Sequence, residues 1–235
     1  MVTDFPSAPF LQMGCAKQAA KNYMKLQYNS ANPTISIVSD DKVVVESIKN
    51  GIRQKSNYSV HGEMLIAISA DANTEIVIYG NITELNCDSD KKLVALSVEN
   101  NEELKVLSCF KGRLTSLDLT NNANLIELNC KYNLLTSLDL SNNTKLTALN
   151  CFDNQITILN LSVCTELSQM FNLPITIDII YYPATNSSVS ARIANHISSA
   201  NTSADGTVYT DSAGAYYQTI ADAATAKGWT IEQLS

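Results

Sequence analysis

The chain has 235 residues, 45% of them hydrophobic, and a formal charge of −7 from 16 basic and 23 acidic side chains. That length and apolar share suit one large domain or a repeat array with flanking caps, and they exclude global disorder. No apolar run approaches the roughly 18 residues that cross a bilayer, and the longest basic run is the pair Lys91-Lys92, so neither membrane insertion nor nucleic-acid binding is expected.

Taken in chain order, the first fourteen residues carry no Lys or Arg and include Pro6 and Pro9, so no export signal is read there. Residues 15–24 are expected to form a short helix. Period-two alternation then marks strands at Ile35-Ser-Ile37, Val43-Val-Val45, Met64-Leu-Ile66-Ala-Ile68 and Ile76-Val-Ile78. These predict a mostly β N-terminal cap over 1–65 that covers the open end of a repeat array at 66–182.

Inside the array Cys87, Cys109, Cys130 and Cys151 follow one another at intervals of 22, 21 and 21 residues. The same frame surrounds each: Leu104-Lys-Val-Leu107-Ser-Cys109, Leu125-Ile-Glu-Leu128-Asn-Cys130 and Leu146-Thr-Ala-Leu149-Asn-Cys151. A second frame fills the other half of each unit, at Leu114–Leu119, Leu135–Leu140 and Ile156–Leu161. Asn133 and Asn154 close the first half, where Asp90 and Gly112 stand in the earlier units. Asn122 and Asn143 close the second, with Cys164 in their place in the last unit. A ten-residue half cannot bury its apolar face alone, so stacked units must share one interior. Two extended halves per unit imply strands on both sides of each coil, and the turn asparagines are suited to bonding the backbone groups that the bends leave unpaired.

The pattern LxxLxCxxNxLTxLDLxxNxxL, in register over 82–167, resembles the cysteine-containing leucine-rich repeat of internalin-like bacterial surface proteins, especially those of Bacteroides type. The resemblance implies a right-handed solenoid of parallel strands with coils of about 21 residues. It also implies an extracellular or cell-surface protein that binds another protein; the absent export signal leaves a cytoplasmic or particle-associated location open. No functional residue carries over from the family.

After Leu167 the frame decays. Ile175-Thr-Ile177-Asp-Ile179 is read as a last strand, and 183–235 as an α/β cap. In that cap Val189, Ile193, Ile197 and Ala200 make one helical stripe. Gly206–Tyr209 is a strand, Ser212 is the expected N-cap of a helix carrying Tyr217, Ile220 and Ala224 that ends at Lys227-Gly228, and Trp229-Thr-Ile231 returns as a strand.

Few residues suggest chemistry. The four recurring cysteines lack CxxC spacing and have apolar neighbours, so they read as small buried hydrophobes rather than as metal ligands or disulfides. His61 and His196 are far apart and without a motif. Asp118 and Asp139 stack one coil apart with Ser97 and Asn160 in the same column, and read as a solvated row before a calcium site. No catalytic centre, cofactor or metal is expected. The outward positions beyond the cysteine-bearing strands stand out: Asp88, Phe110, Lys131 and Phe152 in one column, Lys111, Tyr132 and Asp153 in the next. Exposed aromatics among charges favour protein recognition, which makes Phe110, Lys111, Lys131, Tyr132, Phe152 and Asp153 the candidate partner-binding face. A spacer or particle-assembly role without a ligand site is the alternative, and an enzyme within the C-terminal cap a third.

Overall fold

The structure is a computed structural model that describes residues 22–31, 33–39, 42–49, 52–59, 62–68, 72, 74–88, 92–171, 173–174, 176–182, 186–199, 206–210 and 216–233. The described chain is β-rich, with parallel and antiparallel sheets and few helices. In chain order the N-terminal strands are β1 (Tyr23–Tyr28), β2 (Thr34–Ser39), β3 (Lys42–Lys49), β4 (Ile52–Ser59), β5 (Gly62–Ala67) and β6 (Glu75–Tyr79). The cysteine units follow as β7 (Glu84–Asn86), β8 (Leu93–Asn100), β9 (Val106–Ser108), β10 (Glu127–Asn129) and β11 (Ala148–Asn150). The C-terminal part adds β12 (Ile158–Asn160), β13 (Gln169–Met170), β14 (Ile179–Tyr181), α1 (Ser187–Ile197), β15 (Thr207–Thr210), α2 (Tyr217–Lys227) and β16 (Thr230–Gln233). None of the described helices is long and apolar enough to cross a membrane.

The strands form three sheets. One runs β4-β3-β6-β1-β8 and is antiparallel; a second runs β13-β11-β10-β9-β7-β2-β5; a third, β12-β14-β15-β16, is parallel. In the second sheet β7, β9, β10, β11 and β13 pair in parallel, aligning Leu85, Leu107, Leu128, Leu149 and Met170 in one buried row. Each step along that row equals the sequence period, so like residues stack on like. Cys87, Cys109, Cys130 and Cys151 form the next buried row as free thiols, and burial lifts the Cys151 thiol to about 12. Cys15 lies outside the described residues.

At the turns the buried asparagines replace missing backbone partners. Asn154 Nδ2 donates to the carbonyls of Cys130 at 3.0 Å and Cys151 at 2.9 Å, and its Oδ1 accepts from Leu135 N at 3.1 Å. Asn133 repeats the set one unit earlier on Cys109, Cys130 and Leu114. Gly112 stands in the homologous position because a Cβ there would lie 2.5 Å from Asn133 Oδ1. The second-half turns use Asn122 and Asn143, whose amides donate to Asn101 O at 2.8 Å and Asn122 O at 2.9 Å. Cys164 keeps the backbone turn of that series but offers only a thiol 3.9 Å from Asn143 O.

Several expectations are corrected. The second halves at 114–119 and 135–140 are not strands; only Ile158–Asn160 is. Their leading amides at Leu114 and Leu135 are taken by asparagine side chains. At the far end Asp118 and Asp139 bind the amides of Thr120 and Ser141, so little is left for a ladder. The expected helix at 15–24 fails where it is described, because Tyr23 and Met24 open β1, a strand whose Met24, Leu26 and Tyr28 alternate into the core; 15–21 lie outside the described residues. β4 and β8 are further strands not anticipated, and β14 starts at Ile179 rather than Ile175. Tyr216, not Ser212, occupies the N-cap of α2, without a side-chain cap. Asn186 caps α1 through the amides of Ser188 and Val189, and Gly228 in αL ends α2.

In the C-terminal part Trp229 packs flat on Gly206, where any Cβ would collide with the indole. Its ring meets buried His196 edge-on at 6.2 Å, and His196 Nε2 faces Ile177 O at 3.5 Å. Desolvation holds the His196 pKa below its ordinary value.

Two predictions follow from this packing. Asn154→Ala orphans at least two buried backbone groups at about 1–3 kcal/mol each, so chemical denaturation should show a loss of about 2–6 kcal/mol; a loss below half of that would contradict the turn role. The unfolded chain binds a proton at His196 more readily than the folded one, so stability is present above the ordinary imidazole value and falls as pH drops through it. Melting temperature should therefore fall between about pH 7.5 and about pH 5.5, and fall less in His196→Gln; equal slopes would exclude His196 as the cause.

Candidate functional site

Beyond each cysteine the chain leaves the ladder through a tight bend, and this bend builds the candidate face. Lys111, Tyr132 and Asp153 occupy the left-handed region, at φ 56°, 58° and 52°. None is glycine, so each carries a side chain at a backbone geometry that disfavours one. Lys111 N still reaches Lys131 O at 3.0 Å and Tyr132 N reaches Phe152 O at 2.9 Å, and after Tyr132 and Asp153 the next residue turns inward, where Asn133 or Asn154 bonds the core-side carbonyls.

Each bend points its left-handed side chain outward, beside the aromatic column. Tyr132 is 40% exposed, Lys111 and Asp153 are exposed, and Phe110, Lys131 and Phe152 are half-buried. The rings and cations touch. Tyr132 meets Phe152 edge-to-face at 5.7 Å. The Lys131 ammonium lies 5.1 Å from the Phe110 centroid and 5.8 Å from that of Tyr132, and Lys111 lies 5.7 Å from Phe110. Contacts of this kind hold long side chains in place, which lowers the ordering cost of binding. The structure thus brings Phe110, Lys111, Lys131, Tyr132 and Phe152 into one contiguous strip, with Asp153 exposed in the same column as Tyr132.

Asp88 anchors the strip at its N-terminal end. Its carboxylate accepts from Ser108 Oγ at 2.7 Å and Phe110 N at 2.9 Å, and Asn129 Nδ2 continues the row to Ser108 at 3.2 Å. Desolvation raises the Asp88 pKa, opposed by these hydrogen bonds and by Lys131. The polar row Asn86, Ser108, Asn129 and Asn150 ends in Phe171, in line one residue beyond Met170 and 47% exposed. Phe171 adds an exposed ring in line with Asn150 and went unnoticed in the sequence. Its signal was its position in the frame, obscured where the repeat breaks at Asn172.

The Asp118–Asp139 column has a different role. Asp118, Asp139 and Asn160 each accept from the amide two residues on, all at 2.9 Å. These bonds hold the two carboxyls below their ordinary pKa. The shared turn geometry explains why Asp and Asn interchange there. The column borders a cleft of about 360 Å³ with Leu96, Ser97, Glu99 and Ser116. His61 lies outside the described residues, and His196 lies in the C-terminal packing described above.

No family model matches the chain, and no curated protein matches it. Among solved structures it is similar to the functional domain of InlJ from Listeria monocytogenes, described as including a cysteine ladder, at 22% identity and a TM-score of 0.31. The match covers 63% of this chain and 38% of that one.

The left-handed column is open to a direct check at Asp153. A β-branched Asp153→Val should lower stability by about 1–2 kcal/mol, whereas Asp153→Gly should be neutral or stabilising. Indistinguishable melting curves for the two variants would show that the bend carries no such constraint.

Proposed function

We propose that the chain is a short leucine-rich-repeat solenoid, closed by a cap at each end, that recognises another protein rather than catalysing a reaction. The binding face is the strip of Phe110, Lys111, Lys131, Tyr132, Phe152 and Asp153. The observation that carries this reading is the exposure of fixed aromatic rings among charges on a parallel ladder. Such rings supply contact area at low entropic cost, and the flanking Lys and Asp supply orientation. The solenoid reading rests on the parallel register, which advances by one sequence period per strand. The repeat pattern supports placement at a bacterial cell surface.

The combined substitution Phe110→Ala, Tyr132→Ala and Phe152→Ala tests the reading. Because these rings stand outside the buried rows, the variant should keep its circular dichroism spectrum and cooperative melting. Its affinity for any protein partner isolated with the intact chain should drop by at least about 2 kcal/mol, the usual scale for losing an aromatic hot spot. A folded variant that binds that partner as well as the parent does would refute the assignment of the face.

A further inference from the structure

The β3–β4 hairpin differs from the rest of the chain in exposure and in charge. β4 leaves seven of its eight residues exposed and buries none, although β3 beside it buries Val43, Val45 and Glu46. The strand keeps all eight residues in register with β3. It is the last strand of its sheet, and among the described residues no strand pairs with its outer edge. Such an edge presents a row of backbone N–H and C=O groups to any added strand.

The charge pattern selects among possible occupants. Residues 42–59 hold Lys42, Lys49, Arg53 and Lys55 against Glu46, a net charge of +3, which leaves −10 on the remaining residues out of the total −7. The sequence alone showed no run of basic residues; the hairpin register sets Arg53 and Lys55 on one face of β4, with Lys42 opposite Ser59 at one end and Lys49 opposite Ile52 at the other. Arg53 is tied to Glu46 at 3.1 Å, and Glu46 also accepts from the Tyr79 hydroxyl at 3.3 Å. Lys55 stands opposite Glu46 in the ladder. Arg53, Lys55, Asn57 and Ser59 alternate onto one face of β4. Charged side chains on an edge usually guard it against pairing, and here they would repel a second β4. They attract a strand of opposite charge, since opposite charges facing each other across a ladder are favourable.

We propose that the outer edge of β4 binds an extended polypeptide segment with acidic side chains at alternate positions, which joins the sheet as a sixth strand. This surface is separate from the aromatic strip, and the inference does not depend on the strip.

The test uses the full chain and three labelled eight-residue peptides read by fluorescence anisotropy: alternating Glu and Thr, alternating Lys and Thr, and the Glu peptide methylated on its backbone nitrogens. The Glu peptide should bind at least about tenfold more tightly than either of the others. The double variant Lys55→Glu with Asn57→Glu, verified by its melting curve, should reverse the preference toward the Lys peptide. Equal binding of the methylated peptide would overturn the proposal, because plain attraction to a polyanion needs no backbone donors. Equal binding of the Glu and Lys peptides, or no binding of the Glu peptide below about 1 mM, would overturn it as well.

Discussion

Turning a chain repeatedly inside an apolar interior is possible only if the backbone groups exposed at each turn find partners. Here those partners are asparagine amides buried at the turns. Asn133 and Asn154 each join two neighbouring units by donating to carbonyls of both and accepting from a third segment. A buried amide left without such partners costs about 1–3 kcal/mol, so the leucine rows can line up only where the asparagines also do. The apolar rows supply the driving force, and the amides set the geometry.

Just before Asn133 and Asn154 point inward, Tyr132 and Asp153 adopt the left-handed region and turn their side chains to the solvent. Lys111 bends the same way before Gly112, so the bend belongs to the turn of each unit, and the strip is carried on that turn. The same logic covers the substitutions within the repeat. Gly112 replaces asparagine where Asn133 of the next unit approaches too closely for a Cβ. Cys164 replaces asparagine in the last turn of its series, with only a weak thiol contact to the unit before it.

The two ends solve a different problem from the middle. At the N-terminal side antiparallel β2 joins the parallel ladder through β7, and Tyr28 ties the five-stranded sheet to it by donating to Cys87 O at 3.2 Å. At the C-terminal side the parallel sheet β12-β14-β15-β16 carries two helices, with Trp229, Val189 and Ile193 in the same buried cluster as the leucines. One continuous apolar interior therefore runs from Met24 to Trp229, which makes the ends part of the core rather than appendages to it.

Period and composition were legible from residues alone: the buried rows, the inward cysteines, the turn asparagines and α1 all follow from spacings that elementary geometry reads without ambiguity. Local signals also marked the aromatic columns, since alternation decides which residues face away from the leucines. Other features depended on contacts distant in sequence. Alternation in Tyr23–Tyr28 was present, but its place between β6 and β8 follows from pairings 48 or more positions away. The loss of ladder at 114–119 and 135–140 depends on side chains from the following unit claiming backbone donors. Phe171 falls in line with Asn150, and Arg53 and Lys55 come to stand opposite Ile48 and Glu46, only because strand pairing brings them together. Local pattern determines which way a side chain faces, whereas hydrogen-bond competition between segments decides which backbone becomes a strand and which surfaces become continuous.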